Sequence, residues 1–176
     1  PKTIAVTVVE RVPMAIWQSN DLHQVIDTEG KVIIDQSPSD FLDLPVVSGE
    51  GAAVSAAELV SVLSIVPSIR QYVVAAERRG DRRWDLFLTL GIKVQLPSTA
   101  ADLALRRLSD AEGRFGLLSR DIVNIDLRVA DRMIVRKRNE SDDNGRDLFA
   151  TETHVSTFFQ DSSENSLTPD VDSFTL

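Results

Sequence analysis

Cysteine is absent from this 176-residue chain. No disulfide, thiolate metal site or cysteine nucleophile can be built, although the absence suits reducing and oxidising compartments alike. Histidine is scarce, with only His23 and His154, too little for a metal cage or a Ser–His–Asp relay. The eight glycines form no phosphate-cradling loop. No segment approaches the roughly 20 apolar residues of a membrane span, since the most apolar window, Val54 to Val66, is broken by Ser55, Glu58, Ser61 and Ser64. The chain opens on Pro1-Lys2-Thr3 with neither Met nor a secretory signal. Either the N-terminus was removed or this is an excised piece, and any membrane anchor is expected upstream of it.

What is present suffices for one ordinary domain: 43% hydrophobic and 26% charged residues. The net charge of −8 is unevenly placed. Residues 139–176 carry nine acids and one base, and the remaining 18 acids and 18 bases leave residues 1–138 neutral. The tail is rich in Ser, Thr, Asp and Glu without a period, so it buries too little to offset its ordering entropy. It is predicted to be disordered, chiefly solvated, with Phe158, Phe159, Phe174 and Leu176 as the apolar points where a partner could dock. Its charge also equips it to fold back over Arg128, Arg132 and Arg136 at low salt.

Residues 3–12 set Ile4, Val6 and Val8 on one side and Thr3, Ala5, Thr7 and Val9 on the other, a β-branched-rich period of two that predicts a strand, and Pro13 bars its continuation as a central strand. Met14 to Gln18 forms a second segment. Leu22–Ile26 and Lys31–Ile34, flanking Asp27-Thr28-Glu29-Gly30, read as a β-hairpin. Residues 41–51 read as a loop. Leu59, Val62, Leu63 and Val66 then give a helical stripe, which Pro67 stops or kinks. Tyr72–Glu77 is a strand, and Trp84–Leu90 with Ile92–Leu96 a hairpin around Gly91, placing Trp84, Leu86, Leu88 and Leu90 on one face. A second helix is predicted from Ser98 or Thr99, capped by Thr99 with Asp102 and burying Ala101, Leu105, Leu108 and Phe115. From Ile125 to Val135 the odd positions are apolar except Asp131, while the even ones present arginines about 7 Å apart. Asp131 marks either a bend or a tight turn between two shorter strands. The order predicts an α+β domain with a largely antiparallel sheet and two helices.

No catalytic constellation emerges. Asp27 with Glu29 lacks the further oxygen ligands that calcium requires, and turn chemistry explains the pair better. Arg79-Gly80-Asp81 matches an integrin-ligand tripeptide, but a charged turn beside Trp84 accounts for it. The arginines at 78, 79, 82 and 83 are not interleaved with aromatic stacking platforms, and the body is neutral, so nucleic acid is disfavoured. No metal or cofactor is expected. A hydrolase would need a buried carboxylate pair in a cleft, which nothing in the sequence announces.

Five motifs in order carry a resemblance. Glu10-Arg11-Val12-Pro13-Met14-Ala15-Ile16-Trp17 followed by Val25-Ile26-Asp27-Thr28-Glu29-Gly30 resembles the ER-x-P-x-A-x-W … V-D-x-x-G run of the FtsQ/DivIB family of bacterial cell-division proteins. Leu44-Pro45-Val46-Val47-Ser48-Gly49, Trp84-Asp85-Leu86-Phe87-Leu88 and Val123-Asn124-Ile125-Asp126-Leu127-Arg128 are similar to its LP-x-L-x-G, W-x-L-x-L and V-D-L-R segments. The resemblance spans residues 4–136 and leaves the tail outside.

The resemblance implies a single-pass inner-membrane protein with this region in the periplasm at the division septum. Residues 1–13 would end a truncated POTRA domain, 14–138 form the β domain and 139–176 the acidic tail. It implies a non-enzymatic scaffold binding FtsB- and FtsL-type division proteins and regulating septal peptidoglycan synthesis by FtsW and FtsI. The alternative is a POTRA-type module of a secretion or outer-membrane assembly system. By the resemblance, the partner adds a β-strand along Arg128, Val129, Ala130, Asp131, Arg132, Met133, Ile134, Val135 and Arg136, whose open edge offers unpaired amides and carbonyls. Arg128 would fork onto a partner acid, with Arg82 as a second contact. Val129 stands where the family carries an aromatic, Arg132 where it carries glycine, and Arg136-Lys137-Arg138 where a tryptophan ends the strand. Partner choice would then rest on charge more than on aromatic packing.

Overall fold

The computed structural model describes residues 10–20 and 22–138. Residues 3–9 of the first predicted strand, and every reading made on the tail, lie outside this range. The described residues form strands β1 Pro13–Ser19, β2 Leu22–Asp27, β3 Val46–Ser48, β4 Val73–Arg79, β5 Arg83–Leu88, β6 Lys93–Gln95, β7 Ile122–Asp126 and β8 Ile134–Lys137. Helices α1 Ala52–Ser64, α2 Pro67–Arg70 and α3 Ala101–Phe115 complete an α+β fold.

The eight strands make one sheet in the order β2-β1-β3-β4-β5-β6-β7-β8. Pairs β1–β2, β4–β5, β5–β6 and β7–β8 are antiparallel. Pairs β1–β3, β3–β4 and β6–β7 are parallel. Parallel neighbours cannot be joined by a tight turn, so α1 with α2 serves as the β3–β4 crossover and α3 as the β6–β7 crossover. Both crossovers pack on one face of the sheet, where their apolar stripes and the inward strand residues share a single core.

Register decides which residues meet there. One row crosses from Trp17 through Val47, Ala76, Leu86, Val94 and Ile125 to Val135. Its members from Val47 to Ile125 are buried at 0–1% exposure beneath Leu59 and Leu63 of α1 and Leu105 and Leu108 of α3. The helices are held by this burial more than by their caps. Neither α1 nor α3 has a side-chain N-cap bond, and Ala100 precedes α3 at φ 56°. The predicted Thr99 cap is therefore not used. Phe115 is 62% exposed at the last turn of α3 rather than in its buried stripe.

Several other expectations are corrected. Glu10–Val12 take no regular structure and Pro13 opens β1, a first-residue position that costs no ladder bond; β1 lies inside the sheet. The hairpin partner of β2 is β1, not residues 31–34, which meet it through one bridge, Val32 to Ile26. The predicted loop at 41–51 contains β3, too short to show a period yet central in the sheet. Leu90 follows β5 and is 47% exposed, off the Trp84–Leu86–Leu88 face. Pro67 sits in the first turn of α2, where its missing amide hydrogen is not needed.

The Asp27–Gly30 turn behaves as turn chemistry predicts. Asp27 Oδ1 accepts the amides of Glu29 and Lys31 at 2.8 and 2.9 Å, and Arg11 donates to Oδ2. Gly30, at φ 75°, lies against the first turn of α1, where a Cβ would meet the Ala53 carbonyl at 2.4 Å. Burial works to raise the Asp27 pKa, but the Lys31 amide, the Arg11 guanidinium and the Glu29 amide outweigh it and hold the carboxyl below its ordinary value.

Because folding lowers that pKa, the stabilisation is complete above about pH 4 and is lost as the pH falls through the folded value. Asp27→Asn should lower the melting temperature at pH 7, and the difference from wild type should close toward pH 2, as followed by circular dichroism. In the core, Leu105→Ala should cost about 2–5 kcal/mol, whereas Phe115→Ser should change stability by less than about 0.5 kcal/mol. Chemical denaturation of the two variants checks this contrast.

Candidate functional site

The segment singled out in the sequence, Arg128 to Arg136, is not one strand. β7 ends at Asp126, the chain turns through residues 127–133, and β8 begins at Ile134. Asp131 makes the reversal at φ 63°, a left-handed conformation that aspartate tolerates, and the Arg132 amide closes the turn on the Val129 carbonyl at 3.3 Å. The tight-turn alternative holds. Arg128, Arg132 and Arg136 consequently do not form a row on one strand: the first two lie in the turn, the third on β8. Val129, Ala130, Asp131 and Arg132 are exposed, and Met133 packs partly on the core.

All four residues of β8 are exposed, with Ile134 at 55% and Val135 at 36%. Among the described residues β8 ends the sheet and pairs only with β7. Arg138 donates its amide to the Asp121 carbonyl at 3.1 Å. By strand alternation Arg136 and Ile134 also turn their backbone groups toward β7, so Val135 and Lys137 aim theirs outward. No described residue bonds to that outer side. The opposite edge differs. On β2 the Asp27 amide reaches the Lys31 carbonyl at 2.9 Å, and the Val25 carbonyl takes the Ile33 amide at 2.8 Å. One border of the sheet is thus covered along Val25–Asp27 by its own chain, and the other is open among the described residues.

The face without helices carries a buried apolar row, Ile16, Val46, Ala75 and Phe87, beside a polar one. A polar row crosses all eight strands: His23, Gln18, Ser48, Glu77, Asp85, Gln95 and Asp126, ending at Ile134. Asp85, only 2% exposed, lies 3.0 Å from the Lys93 ammonium and 3.8 Å from the Arg79 guanidinium. Lys93 also covers the Phe87 ring at 5.4 Å. Arg79 holds Glu77 at 2.9 Å.

The Arg79-Gly80-Asp81 tripeptide belongs to the β4–β5 turn. Gly80 and Asp81 take φ 58° and 54°, and Asp81 is tied to Arg78 at 3.0 Å, whose guanidinium stands over Trp84 at 5.5 Å. Arg82 is exposed in the same turn. Extending the β6–β7 register by two residues places Arg128 level with Arg83 at the same end of the sheet, two strand spacings or about 10 Å away. The fold therefore brings Arg82 and Arg128 to one end of the sheet.

Sequence reasoning overlooked Asp126. Its carboxylate accepts the Arg128 Nε at 2.9 and 3.1 Å, the Arg128 Nη2 at 2.7 Å and the Arg128 amide at 2.9 Å. The Arg128 side-chain bond, foremost, pulls the Asp126 pKa below its ordinary value, with Arg83 adding attraction. Arg128 is pushed above its own, chiefly by the bond to Asp126. The signal was the i, i+2 spacing of Asp126 and Arg128 at a strand end.

Among the described residues no cluster of histidine, aspartate and glutamate is arranged to hold a metal ion, and no helix is long and apolar enough to cross a membrane. A buried pair broken on one side is costly, so Lys93→Met should destabilise the fold by about 3 kcal/mol. Lys31→Met, breaking the exposed pair with Glu29 at 2.7 Å, should cost less than about 1 kcal/mol. Urea denaturation at neutral pH distinguishes the two.

Comparison with known proteins gives the following. Residues 15–128 match the family described as cell division protein FtsQ/DivIB, C-terminal. The chain is 38% identical over 141 residues to the cell division protein FtsQ of Bartonella bacilliformis, covering 80% of this chain and 46% of that protein. It is 36% identical over 139 residues to FtsQ of Caulobacter vibrioides, covering 79% and 46%. With FtsQ of Dinoroseobacter shibae it shares 34% over 134 residues, covering 76% and 45%. The chain thus spans about half the length of the curated relatives it matches. Among solved structures, the major extracytoplasmic domain of the cell division protein DivIB from Geobacillus stearothermophilus aligns at 15% identity and a TM-score of 0.40, covering 64% of this chain and 93% of that one.

Proposed function

Since the chain belongs to the FtsQ/DivIB family of cell division proteins, we propose that it works in the division machinery as a non-enzymatic scaffold that takes up a partner by β-strand addition on β8. The partners are FtsB- and FtsL-type proteins, and through them the scaffold regulates septal peptidoglycan synthesis. A membrane helix upstream of this region would hold it at the periplasmic side of the inner membrane.

The observation that supports this reading is the difference between the two borders of the sheet. β2 has two outward backbone groups, the Asp27 amide and the Val25 carbonyl, bonded by Lys31 and Ile33, while β8 leaves the amides and carbonyls of Val135 and Lys137 outward. A strand laid along β8 satisfies those groups and covers Ile134 and Val135, two aliphatic side chains exposed on opposite faces. Main-chain bonds supply the hold, and the alternating side chains supply selection. The docking strand is therefore Ile134–Lys137, with Arg128 to Met133 forming its flanking turn.

Val135→Pro removes an outward amide hydrogen without touching a β7–β8 bond. Captured from cell-envelope extract on the immobilised chain, the FtsB-type protein should fall at least tenfold for this variant. Its melting temperature should stay within a few degrees of wild type. Undiminished recovery of the FtsB-type protein on the folded variant would show that β8 is not where it docks.

A further inference from the structure

The Asp126–Arg128 pair deepens the strand-addition reading and rests on it. Arg128 was expected to offer its whole fork to a partner acid. Instead its Nε and Nη2 side is engaged by Asp126 through three side-chain contacts of 2.7–3.1 Å, with a fourth from the backbone amide. A guanidinium has five N–H donors on two usable sides. Both hydrogens of Nη1 and the second of Nη2 face no described acceptor, and the side chain is 43% exposed. Asp126, at 13%, is the more buried member. The carboxylate holds the cation, and the cation's far end stays open.

We propose that Asp126 is a positioning residue: it fixes Arg128 by its Nε/Nη2 side so that the Nη1/Nη2 end receives a side-chain carboxylate of the docked strand. The geometry permits the meeting. Asp126 lies opposite Ile134 on the face without helices, so a strand added to β8 runs about 10 Å from it. It projects every second side chain onto the same face. Arginine and glutamate side chains are both long, so an exposed Arg128 and a glutamate on the docked strand can share that distance.

Two effects oppose each other. Asp126 repels a second carboxylate across the guanidinium, which at about 6.5 Å in water weakens binding by about threefold. Releasing Arg128 would require its rotamers to be fixed on binding, a penalty on the order of tenfold or more for so long a side chain. Positioning outweighs repulsion. Salt screens the repulsion but leaves the ordering penalty intact.

The test uses the full chain and the purified periplasmic region of the FtsB-type protein, with affinity and dissociation rate measured at low and high salt. Asp126→Asn should weaken binding three- to tenfold, chiefly through faster dissociation, and by more at high salt. In an Arg128→Ala background the same change should do nothing further, and Arg128→Lys should not restore binding, because an ammonium lacks the second side. Unchanged or tighter binding by Asp126→Asn would overturn the assignment, tighter binding showing that Asp126 competes with the partner for Arg128. Equal losses with and without Arg128 would overturn it too, marking a purely structural effect. Failure of strand addition looks different: Val135→Pro would then bind this protein as wild type does, or wild type would not bind it.

Discussion

Everything in this structure depends on one register. Side chains alternate across a strand, so shifting any pairing by a single residue moves that strand's whole apolar set to the wrong face. The row from Val47 to Ile125 holds five strands in phase beneath α1 and α3. The phase that buries Leu86, Val94 and Ile125 also sends Asp85, Gln95 and Asp126 to the opposite face, in one line. The core and the polar row are therefore one decision. The same phase reaches β8, where Val135 continues the core row past the last helix contact and emerges exposed.

That coupling explains why the polar row is ordered rather than a loose solvated surface. Asp85 is buried with Lys93 and Arg79 against it. A buried carboxylate persists only if neighbouring cations offset its lost hydration. Those cations sit on strands whose phase is already fixed by the core. Surface ion pairs elsewhere, such as Lys31 with Glu29, add little. The Asp126–Arg128 pair lies between these extremes, and its rigidity matters more than its energy.

Much of the plan was legible in the sequence: the α+β class, the helices over Leu59–Leu63 and Leu105–Leu108, the Trp84 strand, the Asp27 turn. Each rests on a period read from about four residues or on a local turn with its own chemistry. What escaped was short or relational. β3 has three residues and no period of its own, and its place between β1 and β4 is settled by neighbours distant in sequence. Phe115 fits the apolar stripe of α3, yet it stands 62% exposed at the helix's last turn. Arg128, Arg132 and Arg136 share parity on paper, and one left-handed residue, Asp131, separates them in space. Both arrangements of that segment had been readable from its residues, and only tertiary pairing could choose between them.

The open border raises a physical difficulty, because an unpaired strand with exposed Ile134 and Val135 invites a second copy of itself. Proteins blunt such edges by keeping them short and placing cations on them. β8 has four residues, and Arg136 and Lys137 on it are followed by Arg138. Two copies paired through β8 would set these cations against one another, and like charges directly opposite are destabilising. Arg138 is already held by Asp121 at 3.0 Å, which leaves Arg136 and Lys137 as the charges a newcomer must meet. A strand bearing carboxylates meets them favourably. The residues that protect the edge from self-association would also favour an acidic strand over a basic one, so both constraints arise from the same few charges.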